Sequence, residues 1–403
     1  MHIVYVSQYF PPEVAAPAVR VYELSRQWVR MGHRVTVLTG FPHHPTGVVP
    51  KRYRGYLLKF ENCDGIRVIR TWLYAAPNVG VFRRSLCYLS FMISAIITGL
   101  LYIRRPDVVI ATSPQLLVGV AGWLIAKLKR CPFIFEVRDL WPEALVAVGL
   151  SKLGLFISVL KRLARFLYTH SSAVVTVTKR FQKKIQAQTN RLVYYLPNGV
   201  DKSLFLARRT RREAIRRIGY VGTIGMAHGL EALIDAAANL DDVEFHFWGE
   251  GARKQDLMNY AQTKKLRNVF FHNAVPRDKV PEIYNWLDIC VISLRPTPIF
   301  ADFLPSKLLE ALACGVPVIA MLEGEGAEVA AKSGGAVVVP PGAAQELVKA
   351  INRLRNNPQT LNQMSSRGSE FIRRNFDRAL LAKQYLSLLK KTYLRARPRN
   401  SKP

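Results

Sequence analysis

The chain has 403 residues, 49% of them hydrophobic, which is enough to bury the cores of two ordinary domains and too apolar for general disorder. Lys and Arg number 58 against 28 Asp and Glu, a formal net charge of +30, so the surface is basic and suits anionic membranes, phosphorylated ligands or nucleic acid. No zinc finger, RNP-type aromatic motif or basic leucine zipper accompanies the charge, which ranks membrane surface and phosphates above specific nucleic acid. The five cysteines (Cys63, Cys87, Cys131, Cys290, Cys314) lack CxxC spacing and read as free thiols of a reducing compartment, with no metal site.

The opening Met1-His-Ile-Val-Tyr-Val-Ser7 reads as a strand start and lacks the charged and apolar regions of a signal peptide. A buried strand over Ile3 to Val6 leads into a loop. A helix then places Val21, Leu24, Trp28 and Met31 on one side and stops at Gly32, and Val35 to Thr39 is the next strand. This β-loop-α-β unit opens a doubly wound sheet. Its loop carries Ala15, Ala16 and Pro17 where a nicotinamide enzyme would carry GxGxxG. Small residues there let a ligand approach the helix N-terminus, and a plain connection fits equally well. His43 and His44 are adjacent, a poor arrangement for one ion, so they read as a loop reaching toward substrate or as ordinary surface.

Leu86 to Ile103 holds 18 residues without a charge, between Arg83-Arg84 and Arg104-Arg105, near the minimum for a membrane span. Ser90, Ser94 and Thr98 recur every four residues and form a small-polar stripe on one helical face. The stripe, the short length and the strand that follows at once predict a helix packed within the first domain, one face turned to lipid. Basic flanks would draw it to anionic headgroups.

Strands follow over Val108 to Thr112, Phe133 to Val137 and Ala173 to Val177. Beyond the second of these, Arg138 and Asp139 stand where open α/β sheets bind ligands, with Trp141 beside them; a salt-bridged turn with Trp141 as packing is the plainer alternative. Tyr195 to Asp201 is turn chemistry, followed by the basic run Arg208-Arg209-Thr-Arg211-Arg212. A second strand-loop-helix series starts at Ile218, with later strands over Val243 to Phe247, Val269 to Phe271, Ile289 to Ile292 and Val316 to Ala320. The expected organisation is an N-terminal domain over 1–197, a C-terminal domain over 198–380, and a helix with a basic tail over 381–403.

Gly222-Thr-Ile-Gly-Met-Ala-His-Gly229 is a glycine-rich loop whose amides suit a diphosphate. It lacks the Walker lysine, so ATP hydrolysis is not expected. No GxSxG elbow and no cysteine-histidine signature supports covalent hydrolase chemistry. In Asp302-Phe-Leu-Pro-Ser-Lys-Leu-Leu-Glu-Ala-Leu-Ala-Cys-Gly315, Ser306 is expected to cap a short helix that Gly315 ends, with Leu308, Leu309 and Leu312 facing the core. Lys307 and Glu310 share the other face, where a lysine at a helix N-terminus suits phosphate and a carboxylate suits ribose hydroxyls. Taken alone, an ordinary helix with two solvated charges explains the segment as well.

Taken together and in order, several motifs resemble the retaining GT-B glycosyltransferases of family 4. They are Tyr9-Phe-Pro-Pro-Glu13, Arg20-Val-Tyr-Glu-Leu24, Gly32-His-Arg-Val-Thr-Val-Leu-Thr39, Pro197-Asn-Gly-Val-Asp201, Gly229-Leu-Glu-Ala-Leu-Ile234, Gly249-Glu-Gly251, Pro305-Ser-Lys307 and Glu310-Ala-Leu-Ala-Cys-Gly-Val-Pro-Val-Ile319. Ala16-Pro-Ala-Val-Arg20, Thr39-Gly-Phe-Pro42 and Arg138-Asp-Leu-Trp-Pro142 are similar to the surface-polysaccharide branch typified by WbuB, associated with N-acetyl-fucosamine transfer in O-antigen assembly. The resemblance implies an α/β chain of two Rossmann-like doubly wound domains facing a cleft. A nucleotide sugar, UDP-linked by expectation, would bind the C-terminal domain, and no metal or other cofactor is implied. The donor side would comprise Gly222, Thr223, Gly225, His228, Arg295, Ser306, Lys307 and Glu310. Asp302, Lys307, Arg138 and Asp139 would be catalytic, and Ala15, Ala16, Pro17, His43, His44 and Trp141 would lie on the acceptor side.

Four positions depart from the family pattern. Asp302 stands where Glu is usual, Thr223 and His228 stand near the places of an Arg and a Lys, and Arg138 lies near a usual His. Phosphate charge then rests on Lys307 and Arg295. No carboxylate nucleophile suggests itself, so front-face attack is the expected retaining mechanism. The implied acceptor is a polyprenyl diphosphate-linked saccharide, met by an enzyme peripheral on the cytoplasmic face of the bacterial membrane. A nucleotide-sugar-binding protein without turnover is one rival. A basic scaffold for membrane or nucleic acid, with steep salt dependence, is the other.

Overall fold

The computed structural model describes residues 1–13, 16–44, 46–77, 81–141, 154–208 and 214–396. Ala15, Pro142, Glu143, the basic run over 209–213 and the tail over 397–403 lie outside the described residues. The chain forms two compact units, one of Met1–Pro197 with the segment from Ala379 onward, the other of Asn198–Arg378.

The first unit is built on an eight-stranded sheet. Its strands are β1 (His2–Val6), β2 (Arg34–Gly40), β3 (Leu58–Cys63), β4 (Ile66–Thr71), β5 (Val108–Thr112), β6 (Phe133–Val137), β7 (Ala173–Thr176) and β8 (Val193–Tyr195), in the order β3-β4-β2-β1-β5-β6-β7-β8. All pair in parallel except the edge hairpin β3–β4. Asp64 and Gly65 turn that hairpin with φ of 51° and 80°, the left-handed pair that a two-residue hairpin requires. β1, β5 and β6 are Val- and Ile-rich and buried along their whole length, as strands covered on both faces must be.

Helices α1 (Ala16–Arg30), α2 (Val81–Tyr102), α3 (Leu116–Leu128), α4 (Gly154–His170) and α5 (Lys179–Gln186) connect these strands. α2 packs within the first unit as expected, its polar stripe against the end of β4 and the segment that follows it. Ser90 Oγ accepts from Tyr74 N at 2.8 Å, Ser94 Oγ donates to Trp72 O, and Thr98 Oγ1 lies 2.9 Å from Thr71 Oγ1. By length and composition alone α2 is long and apolar enough to cross a membrane.

Arg20 on α1 is 2% exposed and pairs with the fully buried Glu136 of β6 at 3.0 Å. The same guanidinium donates to Pro197 O and Leu196 O at 2.8 and 3.1 Å, so it fixes the end of the first unit's opening segment. Glu136 also accepts from Tyr5 Oη at 2.7 Å and Thr112 Oγ1 at 2.8 Å. Burial alone would raise the Glu136 carboxyl; Arg20 and these donors outweigh it and hold it below the usual range.

The second unit repeats the plan in a parallel six-stranded sheet. Its strands β9 (Arg217–Val221), β10 (Glu244–Trp248), β11 (Val269–His272), β12 (Ile289–Ser293), β13 (Val318–Met321) and β14 (Ala336–Val339) run in the order β11-β10-β9-β12-β13-β14. Helices α6 (Glu231–Ala237), α7 (Lys254–Thr263), α8 (Val280–Trp286), α9 (Ser306–Ala313), α10 (Gly324–Ser333), α11 (Ala344–Arg355) and α12 (Pro358–Asn375) cover it. The entering and leaving segments lie side by side, Val200 N donating to Phe376 O at 2.8 Å and Arg378 N to Val200 O at 3.0 Å. The last helix, α13 (Arg378–Ala396), belongs from Ala379 to the first unit. Trp28 Nε1 donates to Ala382 O at 3.0 Å, and Tyr385 meets the Trp28 ring edge-on at 5.4 Å.

Removing Arg20 would strand Glu136 as a buried unpaired charge. Arg20→Ala should therefore cost about 3–5 kcal/mol in urea unfolding followed by tryptophan fluorescence. A loss below about 1 kcal/mol would show that the pair does not anchor this unit.

Candidate active site

In an open parallel sheet, ligands bind beyond the carboxyl ends of the strands, where the order reverses. In the second unit that point lies between β9 and β12. Gly222 leaves β9 with φ of 135°, and Gly249 leaves β10 with φ of 147°. A Cβ on Gly249 would lie 1.9 Å from the Gly222 carbonyl oxygen, so the two loops can run backbone against backbone only with glycine there. Gly222 N and Ile224 N donate to Trp248 O and Glu250 O, both at 2.9 Å, leaving the N–H groups of Thr223 and Gly225 outside that ladder. Thr223 is exposed and Gly225 half-buried.

Helix α9 delivers Lys307 to this turn. Leu308, Leu309 and Leu312 are fully buried and fix the helix rotation. Gly315, at φ 64°, ends it, donating to Leu312 O at 2.9 Å. Ser306 is not the cap: Pro305 holds that place, no side chain caps the helix, and Ser306 is its exposed first residue. Proline's fixed φ of −63° presets the entry instead.

Lys307 Nζ donates to Tyr220 Oη and sits 4.2 Å from the Tyr220 ring centroid. Tyr220 Oη passes a hydrogen bond on to Thr223 O at 2.6 Å. A Cβ on Gly222 would lie 3.0 Å from Lys307 Nζ, so this glycine leaves room for the ammonium. Burial, opposed weakly by Cys290 and Glu310, pulls the Lys307 pKa down to about 8. Among the described residues no carboxylate forms an ion pair with it, which leaves a desolvated cation with neutral partners.

His228 lies in the same cluster, its ring 5.7 Å from that of Tyr220. Its Nδ1 is 3.3 Å from Ser293 O. A carbonyl only accepts, so Nδ1 carries the proton and Nε2 is left as an acceptor. Burial and the nearby Lys307 push its pKa down to about 3, so the ring is neutral near pH 7. It cannot replace a basic residue toward phosphate; its free nitrogen suits a hydroxyl. Arg295 packs over Gly229 and pairs with Glu231 at 3.1 Å, sharing it with Arg253 at 2.8 Å.

Glu310, one turn beyond Lys307, is mostly buried and pairs with Arg277 at 3.0 Å. Asp302 ends a short 3-10 turn, Phe300–Asp302, and is 4% exposed. Arg277, Arg253 and Tyr220 escaped the sequence reading. Arg277 lies five residues beyond β11, and that place past a strand end was the available signal.

In the first unit, Arg138 and Asp139 follow β6, their N–H groups donating to Ser113 Oγ at 2.8 and 3.4 Å. Arg138 is 8% exposed, and its Nε and Nη1 have no hydrogen-bond partner among the described residues. Burial and the charge of Arg20 lower its pKa, while burial raises that of Asp139 against Arg138's charge. His43 is buried: Nδ1 donates to Phe41 O at 2.9 Å, Nε2 faces Cys87 Sγ at 3.4 Å, and burial lowers its pKa. It is thus a packed, neutral ring that shapes the loop. His44 is only half-buried, and its N–H and that of His43 are held by Glu13 Oε1 at 2.9 and 3.0 Å. Ala16 and Pro17 start α1, Ala16 exposed; Trp141 is half-buried.

Residues 15–199 match the family described as glycosyl transferase 4-like domain, and residues 206–371 match glycosyl transferases group 1. A WcaI glycosyl transferase of Escherichia coli K12, assigned to colanic acid biosynthesis, is 25% identical over 94% of this chain and 97% of its own. TuaC of Bacillus subtilis 168, assigned to teichuronic acid biosynthesis, is 24% identical over 94% of each. Sucrose-phosphate synthase of Thermosynechococcus elongatus superposes with a TM-score of 0.78 at 17% identity, covering 98% of this chain and 99% of its own. Anabaena HepE, solved with UDP and glucose, gives 0.70 at 17% identity, covering 96% and 99%. The two domain matches follow one another in the order the two α/β units require, and together they make the chain a glycosyltransferase with a 4-like N-terminal domain and a group 1 C-terminal domain.

Proposed function

We propose that this glycosyltransferase moves a sugar from a UDP-sugar to a polyprenyl diphosphate-linked saccharide in bacterial surface polysaccharide synthesis. It would act with retention and without a metal, at the cytoplasmic membrane face. The observation that carries the reading is Lys307, a desolvated ammonium beside glycine-lined backbone, with Glu310 one turn further along the same helix. That arrangement suits a nucleoside diphosphate. Lys307 meets the diphosphate, Arg295 adds charge at the loop, and Glu310 exchanges Arg277 for ribose hydroxyls. The UDP in the HepE complex and the polysaccharide roles assigned to WcaI and TuaC favour the same donor and product class. Within that class, the WbuB-like motifs of the sequence favour N-acetyl-fucosamine or another N-acetylated sugar.

Retention follows if the acceptor hydroxyl attacks the face from which UDP departs. The anomeric carbon–phosphate oxygen bond breaks, the new glycosidic bond forms, and the leaving β-phosphate oxygen takes the hydroxyl proton. The protein then contributes position and charge stabilisation. Lys307 stabilises the leaving diphosphate, Asp302 and the acceptor nitrogen of His228 hold sugar hydroxyls, and Arg138 with Asp139 serves the acceptor in the first unit.

Incubation of the full chain with UDP-sugars and membrane-extracted lipid-linked acceptors, with and without EDTA, tests the reading. Transfer should survive EDTA and give a product with the donor's anomeric configuration. Inversion, or activity restored only by a divalent cation, would contradict it. Lys307→Ala should lower kcat about 10²-fold, whereas Glu310→Ala should chiefly raise the donor KM, by about tenfold. Wild-type kinetics in both variants would move the donor site elsewhere.

A further inference from the structure

The exposed face of α2 is a continuous apolar ridge. Phe82, Leu86, Leu89, Ile93, Ile97 and Leu101 follow one another at helical spacing, and Phe82 and Leu101 are 75% and 65% exposed. At 1.5 Å per residue the ridge runs about 28 Å. On α4, Leu155, Phe156 and Val159 are exposed as well, Leu155 by 84%. Exposed apolar surface of this extent calls for a cover. Arg83, Arg104 and Arg105 flank the ridge, and Lys161, Arg162 and Arg165 lie exposed on α4, so the complementary cover is an anionic lipid surface.

Between these helices lies a groove of about 240 Å³. Leu89 of α2, Leu116 of α3, Phe156 and Leu160 of α4, and Trp141 give it an apolar wall. Its lining also includes Arg84 and Gln115. Gln115 is 2% exposed; its amide donates to Gln8 Oε1, and its own Oε1 has no partner among the described residues. It stands two residues from Ser113, the hydroxyl that holds the backbone of Arg138 and Asp139. The groove therefore joins a membrane-facing ridge to the carboxyl end of the sheet, where a buried arginine has unused donors.

We infer that this groove is the subsite for the isoprenoid chain of the acceptor, taking the units next to its diphosphate while the rest of the chain stays in the bilayer. An apolar chain with a dianionic head matches an apolar trough with Arg84 in its wall. A nucleotide or free saccharide would leave those walls wet. The inference rests on the proposed lipid-linked acceptor and adds where and how that acceptor is held.

Binding of farnesyl diphosphate and of inorganic diphosphate to the intact chain tests it, read by calorimetry with UDP thermal shift alongside. Farnesyl diphosphate should bind at least tenfold tighter. Leu160→Trp, which fills the groove, should abolish that preference, and Phe156→Ser should weaken it if the first variant folds poorly. Ile97→Glu, on the ridge but outside the groove, should keep it, and all three should keep the UDP shift. No chain preference in the wild type, persistence of the preference in Leu160→Trp, or equal loss in Ile97→Glu would overturn the groove assignment. Loss of any UDP shift in the wild type would instead overturn the donor reading beneath it.

Discussion

A partly buried lysine whose hydrogen-bond partners among the described residues are neutral is the constraint around which the second unit is organised. Charged groups leave water at a cost, and buried ones are normally paired. Lys307 instead rests on a tyrosine hydroxyl and ring, and its pKa falls to about 8 in response. The surroundings explain how the cation is kept there. Three buried leucines fix the helix that carries it, a glycine opens the turn it faces, and a second glycine lets the adjoining loop close in behind. Under the proposed function, the donor diphosphate would bring the counter-charge that Lys307 lacks among the described residues.

The first unit manages its buried charge differently. Arg20 and Glu136 neutralise one another, and the guanidinium's remaining donors meet Leu196 and Pro197 carbonyls. This pair is structural, with every strong group engaged. Burial and the nearby charge of Arg20 lower the pKa of Arg138, yet its Nε and Nη1 find no partner among the described residues. One unit thus holds two arginines in one electrostatic environment, one satisfied and one with donors to spare.

The placement of Lys307 and Glu310 on one short helix was legible because its signals are local. Lys307 and Glu310 lie three apart on one short helix, and the leucines between them declare which face is buried. Most of the parallel strands of both sheets were legible as apolar runs. The hairpin turned by Asp64 and Gly65, and the strand Ala336-Val-Val-Val339, carried equally clear signals that went unread. Other features were beyond local inspection. Arg277 meets Glu310 across 33 residues, and Arg20 meets Glu136 across 116. The burial of His43 depends on Glu13, Phe41 and Cys87 together, so a pair of histidines in a loop looked available when one is packed. The place of α13 in the first unit also depends on a tertiary partner, Trp28.

The central claim is that Lys307 is a suppressed cation waiting for the donor diphosphate. Calorimetry of UDP binding at about pH 8.5, in buffers of differing ionisation enthalpy, tests it most directly. Free Lys307 is then largely neutral, and a bound diphosphate raises its pKa. Binding should take up roughly half to three quarters of a proton and should weaken as pH rises further. Lys307→Met should bind with no such uptake. A wild-type uptake near zero, or the same uptake in Lys307→Met, would contradict the assignment of this lysine to the diphosphate.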